Sequence, residues 1–180
     1  MIISCTGRNI AFRREIFNQI NGYLGHEHIL SGDDDLLLQK FALESNCLIK
    51  YAISENSIVP SYAPFSFFNF LKQRLRFASK GFFYFKIKTT IEFKFIILFL
   101  YIVNIVTILN LFVVSNTLNF YFFIPIVIKM LSDFLLSYVF MIKLKLNWSL
   151  MAYLVLTLLH PFYVVIIGAL GPFSKVDWKK

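Results

Sequence analysis

With 180 residues, 58% of them hydrophobic, a mean hydropathy of +0.67 and a formal net charge of +8, the chain is too apolar for an ordinary soluble domain. Its charge does not have the distribution of a nucleic-acid binder. Lys72, Arg74, Arg76, Lys80, Lys86, Lys88 and Lys94 fall in one aromatic-rich segment leading into a hydrophobic stretch, which suits the anionic face of a membrane. Residues 1–94 carry 12 Lys/Arg and 8 Asp/Glu against 6 and 2 in residues 95–180, so a water-facing unit is expected to precede a membrane unit.

In chain order, residues 1–5 (Met-Ile-Ile-Ser-Cys) predict a short buried strand, followed by a turn at Thr6-Gly7-Arg8-Asn9. Apolar residues at Ile10, Phe12, Ile16, Phe17 and Ile20 predict a helix over 10–20 with Asn9 as N-cap, stopped by Asn21-Gly22. Residues 25–32 form a loop holding His26 and His28, which lack a third ligand at metal-binding spacing. A helix over 33–45 opens on Asp33-Asp34-Asp35, where carboxylates satisfy unpaired N–H groups and complement the helix dipole. Residues 47–53 alternate as a strand does, and 57–59 read as a second short one. Cys5 and Cys47, without ligand spacing or a secreted context, read as reduced structural thiols, and residues 1–30 contain no signal-peptide core.

After Pro60 and Pro64, residues 65–85 predict an aromatic amphipathic helix too charged to span, lying in the interface plane. Three apolar stretches follow, at 95–114, 120–142 and 148–170, each meeting the ~20 residues needed to cross a bilayer. Within the second, Lys129 and Asp133 lie four apart, placed to neutralise each other on one helix face. Lys86, Lys88 and Lys94 place the start of the first span in the cytoplasm, and Lys143 with Lys145 bring the chain back there. Pro161 and Gly168 leave two readings of the last stretch, a full crossing or a re-entrant segment that keeps Lys175, Lys179 and Lys180 inside.

The motifs acquire meaning from their order. Asp33-Asp34-Asp35 precedes Gln73-Arg74-Leu75-Arg76-Phe77 by some forty residues, and the latter stands just before the first apolar stretch. Gln73 and Arg76, three apart, share a helix face from which Arg74 is turned away. This arrangement resembles the back half of processive-type family 2 glycosyltransferases (cellulose, hyaluronan and chitin synthase-like), which carry an acidic motif, Gln-x-x-Arg-Trp on an interfacial helix, and then transmembrane helices. Gly7-Arg8-Asn9-Ile10-Ala11-Phe12 is similar to the family's Gly-x-Asn-x-Ala-aromatic acceptor segment, and Val176-Asp177-Trp178-Lys179 to its Trp-Lys endings.

The resemblance implies an α/β fragment over residues 1–64, the C-terminal part of a GT-A-like nucleotide-diphospho-sugar transferase domain. An interfacial helix over 65–94 and a membrane region of two or three transmembrane helices over 95–180 would follow. It implies an inverting enzyme that moves a sugar from a nucleotide-sugar donor to a lipid or glycan acceptor. Asp34 would be the general base, with Asp33 as the alternative register, and Asn9, Asp35, Gln73, Arg76 and Phe77 would bind substrate. Phe77 stands where the family has Trp, keeping stacking but losing the indole N–H.

A divalent cation, Mg²⁺ or Mn²⁺, is expected for the complete enzyme, with its ligands mostly in a donor-binding half that the resemblance places outside this chain, as a truncation or a separate partner. The expected location is a bacterial inner membrane with the catalytic part cytoplasmic. The rival reading is a non-enzymatic small membrane protein whose basic helix binds anionic lipid.

Overall fold

The computed structural model describes residues 4–5, 7–26, 32–117, 119–147 and 149–174. They form helices α1 (Arg14–Gln19), α2 (Asp33–Glu44), α3 (Phe67–Ala78), α4 (Phe83–Lys86), α5 (Ile91–Thr117), α6 (Phe123–Lys143) and α7 (Leu150–Leu170), with short 3-10 turns at Glu55–Ser57, Phe120–Phe122 and Gly171–Phe173. No strand occurs among the described residues, which corrects the expectation of an α/β fragment.

The physical reason is visible in the two expected strands that fall wholly within the described residues. Residues 47–53 are extended, and Cys47 and Ile49 do turn inward onto Ile20, Leu37 and Phe41, while Leu48 and Lys50 face out. The alternation is therefore real, but among the described residues no neighbouring segment supplies the ladder that would make it a strand. Around 57–59 the chain instead closes a 3-10 turn, in which Ser57 Oγ accepts from Ser54 N at 3.1 Å and donates to Ala52 O at 2.9 Å. Of the expected first strand only Ser4 and Cys5 are described, and they are irregular.

The chain divides into two compact units. The first comprises Met1–Tyr51, Val59–Leu98 and Ile167–Lys180, the second Ala52–Ile58 and Phe99–Ile166.

The first unit is organised around α2, in which Asp35 to Phe41 are buried without a break. Leu37 and Phe41 join Ile20 in one apolar cluster, while Leu36 joins Tyr84 and Phe93 in another. A helix covered on all sides has no solvent stripe on which to place its polar residues. Each must therefore find a partner inside. Gln39 accepts from Thr90 N and Thr90 Oγ1 at 3.1 and 2.8 Å, and Lys40 donates to Gly22 O and Leu24 O at 2.9 Å each. Burying side chains such as Leu36, Leu37 and Phe41 contributes about 1.5–3 kcal/mol apiece.

α1 is shorter than the expected 10–20 helix, beginning at Arg14 rather than after Asn9. The expected 65–85 helix is also divided. α3 is capped by Ser66 Oγ, which accepts from Asn69 N at 3.2 Å, and ends at Ala78; α4 begins at Phe83. Gly171 is buried against Ala78, where an added Cβ would meet that residue's own Cβ, and Ser174 Oγ, which donates to Gly171 O at 2.7 Å, lies 3.3 Å from Leu75 O.

Three helical stretches, Ile91–Thr117, Phe120–Lys143 and Leu150–Phe173, are long and apolar enough to cross a membrane. Most of their large apolar side chains face outward, as lipid-facing residues do. These stretches mark an integral membrane protein. In the second unit the polar residues of α5 bond back to their own helix: Asn104 Nδ2 to Leu100 O, Thr107 Oγ1 to Val103 O and Asn110 Nδ2 to Val106 O, at 2.7–2.8 Å. Lys129 and Asp133 form the expected pair at 2.6 Å. α7 continues unbroken through Pro161.

Candidate functional site

The acidic triplet at the start of α2 separates into three environments. Gly32, with φ of +86°, turns the chain into the helix, and its carbonyl accepts the first helical hydrogen bond from Leu36 N at 2.9 Å. Asp33 is exposed. Asp34 is half-buried, and its carboxylate accepts from Gly7 N at 2.8 Å and from Asp35 N at 2.9 Å. The segment leading to Asn9 is thereby drawn to the triplet. Asn9 itself is exposed.

Asp35 points inward and is the hub of the site. Its Oδ2 accepts from Lys80 Nζ at 2.8 Å and Tyr84 Oη at 2.9 Å, and its Oδ1 from Ser4 Oγ at 2.6 Å and Cys5 N at 3.1 Å. Burial disfavours its charge, but the Lys80 ammonium and these hydrogen bonds outweigh burial and hold the carboxyl below the usual carboxylate range. The same arrangement acts in reverse on its neighbours. Burial, then the Asp35 and Asp34 charges, push the Cys5 thiol up to about 12, and burial followed by Asp35 raises the Tyr84 phenol. The Cys5 thiol donates to Asp34 O at 3.3 Å, and its raised pKa disfavours the nucleophilic thiolate.

On α3, Gln73 and Arg76 are half-buried and Phe77 is 40% exposed. The Arg76 guanidinium lies 5.2 Å from the centre of the Phe77 ring. Arg74 stacks over Phe70 at 5.0 Å, and its buried Nε has no hydrogen-bond partner among the described residues. Among the described residues Gln73 makes no hydrogen bond to the acidic triplet. The junction between the two motifs is made instead by Lys80, in the turn just past the end of α3, whose side chain crosses Gly32 to reach Asp35.

Lys80 and Tyr84 were visible in the sequence only as members of a basic, aromatic run. The signal for their role is their i, i+4 spacing, which puts a cation and a hydroxyl on one face opposite a carboxylate that would otherwise be buried alone. His26 is described, while His28, Val176, Asp177, Trp178 and Lys179 lie outside the described residues. No three His, Cys, Asp or Glu side chains converge into a metal-holding group among the described residues.

The fold and this junction define a helical membrane protein with an acidic helix start held beside a basic, aromatic helix. Compared with known proteins, the chain matches no family model, no curated protein and no solved structure.

Proposed function

We propose that the chain contributes the acceptor-side and membrane-proximal part of a membrane-bound, inverting glycosyltransferase of the family 2 type. It would act on a nucleotide-sugar donor and a lipid or glycan acceptor. The observation that carries this reading is the Asp35–Lys80 ion pair at 2.8 Å, which holds the start of the acidic helix beside the end of the Gln73–Arg76 helix. An ion pair that ties the segments carrying the two motifs together supports this reading. Gly7 bonded to Asp34 adds the Asn9 segment to it.

In this reading Asp34, or Asp33 beside it, takes the proton from an acceptor hydroxyl. The oxygen then attacks the anomeric carbon, the bond to the diphosphate breaks, and the nucleoside diphosphate leaves with its charge met by Arg76. Gln73 hydrogen-bonds the same end of the donor, and Phe77 offers an apolar face to a sugar ring. Asp35, expected from the sequence to bind substrate, has both oxygens taken by Lys80, Tyr84, Ser4 and Cys5, and in this reading it positions the triplet instead. The basic flanks Lys86, Lys88, Lys94, Lys143 and Lys145 support a cytoplasmic site, at a bacterial inner membrane.

The test is sugar transfer by the chain in proteoliposomes, alone and with a co-expressed donor-binding chain, against a panel of UDP- and GDP-sugars with Mg²⁺ or Mn²⁺. Transfer abolished by Asp34→Asn or Asp33→Asn supports the reading. Retained transfer in both variants rejects it, and binding to anionic vesicles with no transfer under any condition favours the lipid-binding membrane protein.

A further inference from the structure

Within the second unit, α6 and α7 carry a polar feature that has no part in sugar transfer. Asp133 stands at the midpoint of α6 and His160 at the midpoint of α7, each roughly 15 Å along its helix from either end. Both are therefore at the depth of the hydrocarbon, where side chains this short do not reach the headgroups. They are also neighbours. Lys129 and Pro161 wall the same small cavity, Tyr153 packs edge-on against Phe134 at 5.4 Å, and the charges of Lys129 and Asp133 both act on the His160 ring.

The three groups are not equally enclosed. Lys129 turns inward, its side chain 9% exposed, whereas the Asp133 side chain is 41% exposed and His160 is exposed. Asp133 Oδ2 accepts from Lys129 at 2.6 Å, and Oδ1 receives no hydrogen bond from a described residue. The His160 ring stands 6.2 Å from that of Tyr163 and makes no hydrogen bond to a described residue. An ionisable side chain in a membrane helix ordinarily faces protein or a water-filled cavity, because lipid tails offer no hydrogen bond. Here an acceptor and a donor face outward together. Leu136 and Leu156, one turn from each on the same helix faces, surround them with apolar surface at 73% and 63% exposure.

We infer that this surface of α6 and α7 is the contact between two copies of the chain in the membrane, where the His160 imidazole of each copy donates to the Asp133 carboxylate of the other. Charge complementarity selects the occupant. A carboxylate only accepts and an imidazole N–H donates, so a patch holding one of each is complementary to itself. A twofold rotation then closes two identical hydrogen bonds, the isologous arrangement of a C2 dimer. Lys129 stays on its own Asp133, and Oδ1 is the oxygen offered across the contact.

Energy transfer between full-length chains fused to donor and acceptor fluorescent proteins, reconstituted in phosphatidylcholine–phosphatidylglycerol vesicles, tests this. Transfer in the native chain should rise with the protein-to-lipid ratio and saturate as a dimer. His160→Leu should weaken association at least about tenfold, the worth of one hydrogen bond to a charged group. Lys129→Met with Asp133→Leu, changed together so that no buried ammonium is stranded, should do the same. Mixing these two variants restores one of the two hydrogen bonds, so the mixed pair should associate more tightly than either variant with itself. His160→Gln, which keeps an N–H donor in place, should retain most of the association. A native chain that stays monomeric at every ratio overturns the inference. So does a His160→Leu chain that associates like the native one, a mixture that shows no recovery, or a loss in His160→Gln equal to that in His160→Leu.

Discussion

Lys80 reaches back over 45 residues of sequence to place its ammonium 2.8 Å from Asp35 Oδ2, and both side chains are nearly buried, at 13% and 11% exposure. Burial makes the two members unequal. Removing Lys80 leaves Asp35 with three donors, whereas removing Asp35 strands an ammonium, a phenol, a hydroxyl and a backbone N–H together.

Asp35→Ala is therefore expected to be the most destabilising change at this site, by about 3–5 kcal/mol, the usual cost of breaking a buried ion pair. Lys80→Met should cost less, and Asp33→Asn, at the surface, should lie within about 0.5 kcal/mol of the native chain. Denaturant unfolding in detergent micelles checks the order. Equal effects of Asp35→Ala and Asp33→Asn would show that the hub does not hold the unit together.

The pH dependence follows from the same carboxylate. Its folded pKa lies below the unfolded value of 3.8, so its stabilisation is complete above that value and is lost as pH falls through the lower folded pKa. Thermal unfolding between pH 7 and pH 2 should therefore show an acid-side loss that Asp35→Asn reduces. For Cys5 and Tyr84 the sign is opposite. Their folded pKa values are raised, so their contribution is complete below the ordinary values of 9.0 and 10.0 and declines as pH rises beyond them. At pH 8 a thiol reagent should modify Cys5 far more slowly than a free cysteine.

Gly32→Ala isolates the junction from its charges. The residue has φ of +86°, and an added Cβ would fall 2.4 Å from Lys80 Cδ. The left-handed backbone alone costs a non-glycine residue about 1–2 kcal/mol. Lys80 must also move, so the Asp35–Lys80 bond should lengthen. A structure of the variant and its unfolding midpoint check both effects; a native-like midpoint would contradict the close approach.

Under the proposed transferase activity, Asp34→Asn should lower turnover by about 10²–10⁴-fold, the contribution typical of a general base, with donor affinity largely kept. Steady-state kinetics on the reconstituted enzyme separate the two. A loss in Asp33→Asn but not in Asp34→Asn would move the base by one residue.

Arg76→Lys and Arg74→Lys separate diphosphate binding from attraction to lipid. A lysine keeps the charge but not the planar two-pronged donor, so a diphosphate-binding Arg76 should lose at least about tenfold in turnover on this change. Arg74, stacked on Phe70, serves as the comparison and should alter turnover little. Small and equal effects would favour the lipid-binding reading, in which about 1 kcal/mol per surface cation is at stake and the charge is unchanged.

The membrane helices were legible because an apolar run of bilayer length is a property of the local sequence. The expected 95–114, 120–142 and 148–170 lie within or close to Ile91–Thr117, Phe120–Lys143 and Leu150–Phe173. α2 was legible for a different reason, its acidic first turn and apolar interior. The errors concern partners distant in sequence. Cys47 and Ile49 alternate toward the core, but periodicity carries no information on whether a second strand lies alongside. The long helix predicted over 65–85 is divided at 79–82, and the contacts of Lys80 and Tyr84 with Asp35 lie beyond any local window. For the same reason the sequence showed three adjacent aspartates as near equivalents, whereas the structure gives Asp33 to solvent, Asp34 to the Gly7 backbone and Asp35 to the interior.

The 49-residue separation between Asp35 and Tyr84 also sets a schedule for biosynthesis. At 5–20 residues per second, roughly 2–10 s pass between the synthesis of the aspartate and that of the tyrosine that bonds to it. For most of that interval α2 carries a carboxylate with neither Lys80 nor Tyr84 to bond to it, and Leu36 lacks Tyr84 and Phe93 to cover it. The residues that complete the site leave the ribosome immediately ahead of the first membrane helix. Closure of the acidic helix and delivery of α5 to the bilayer are thus adjacent events, and a pause in translation before Lys80 would prolong the exposure of an unfinished core.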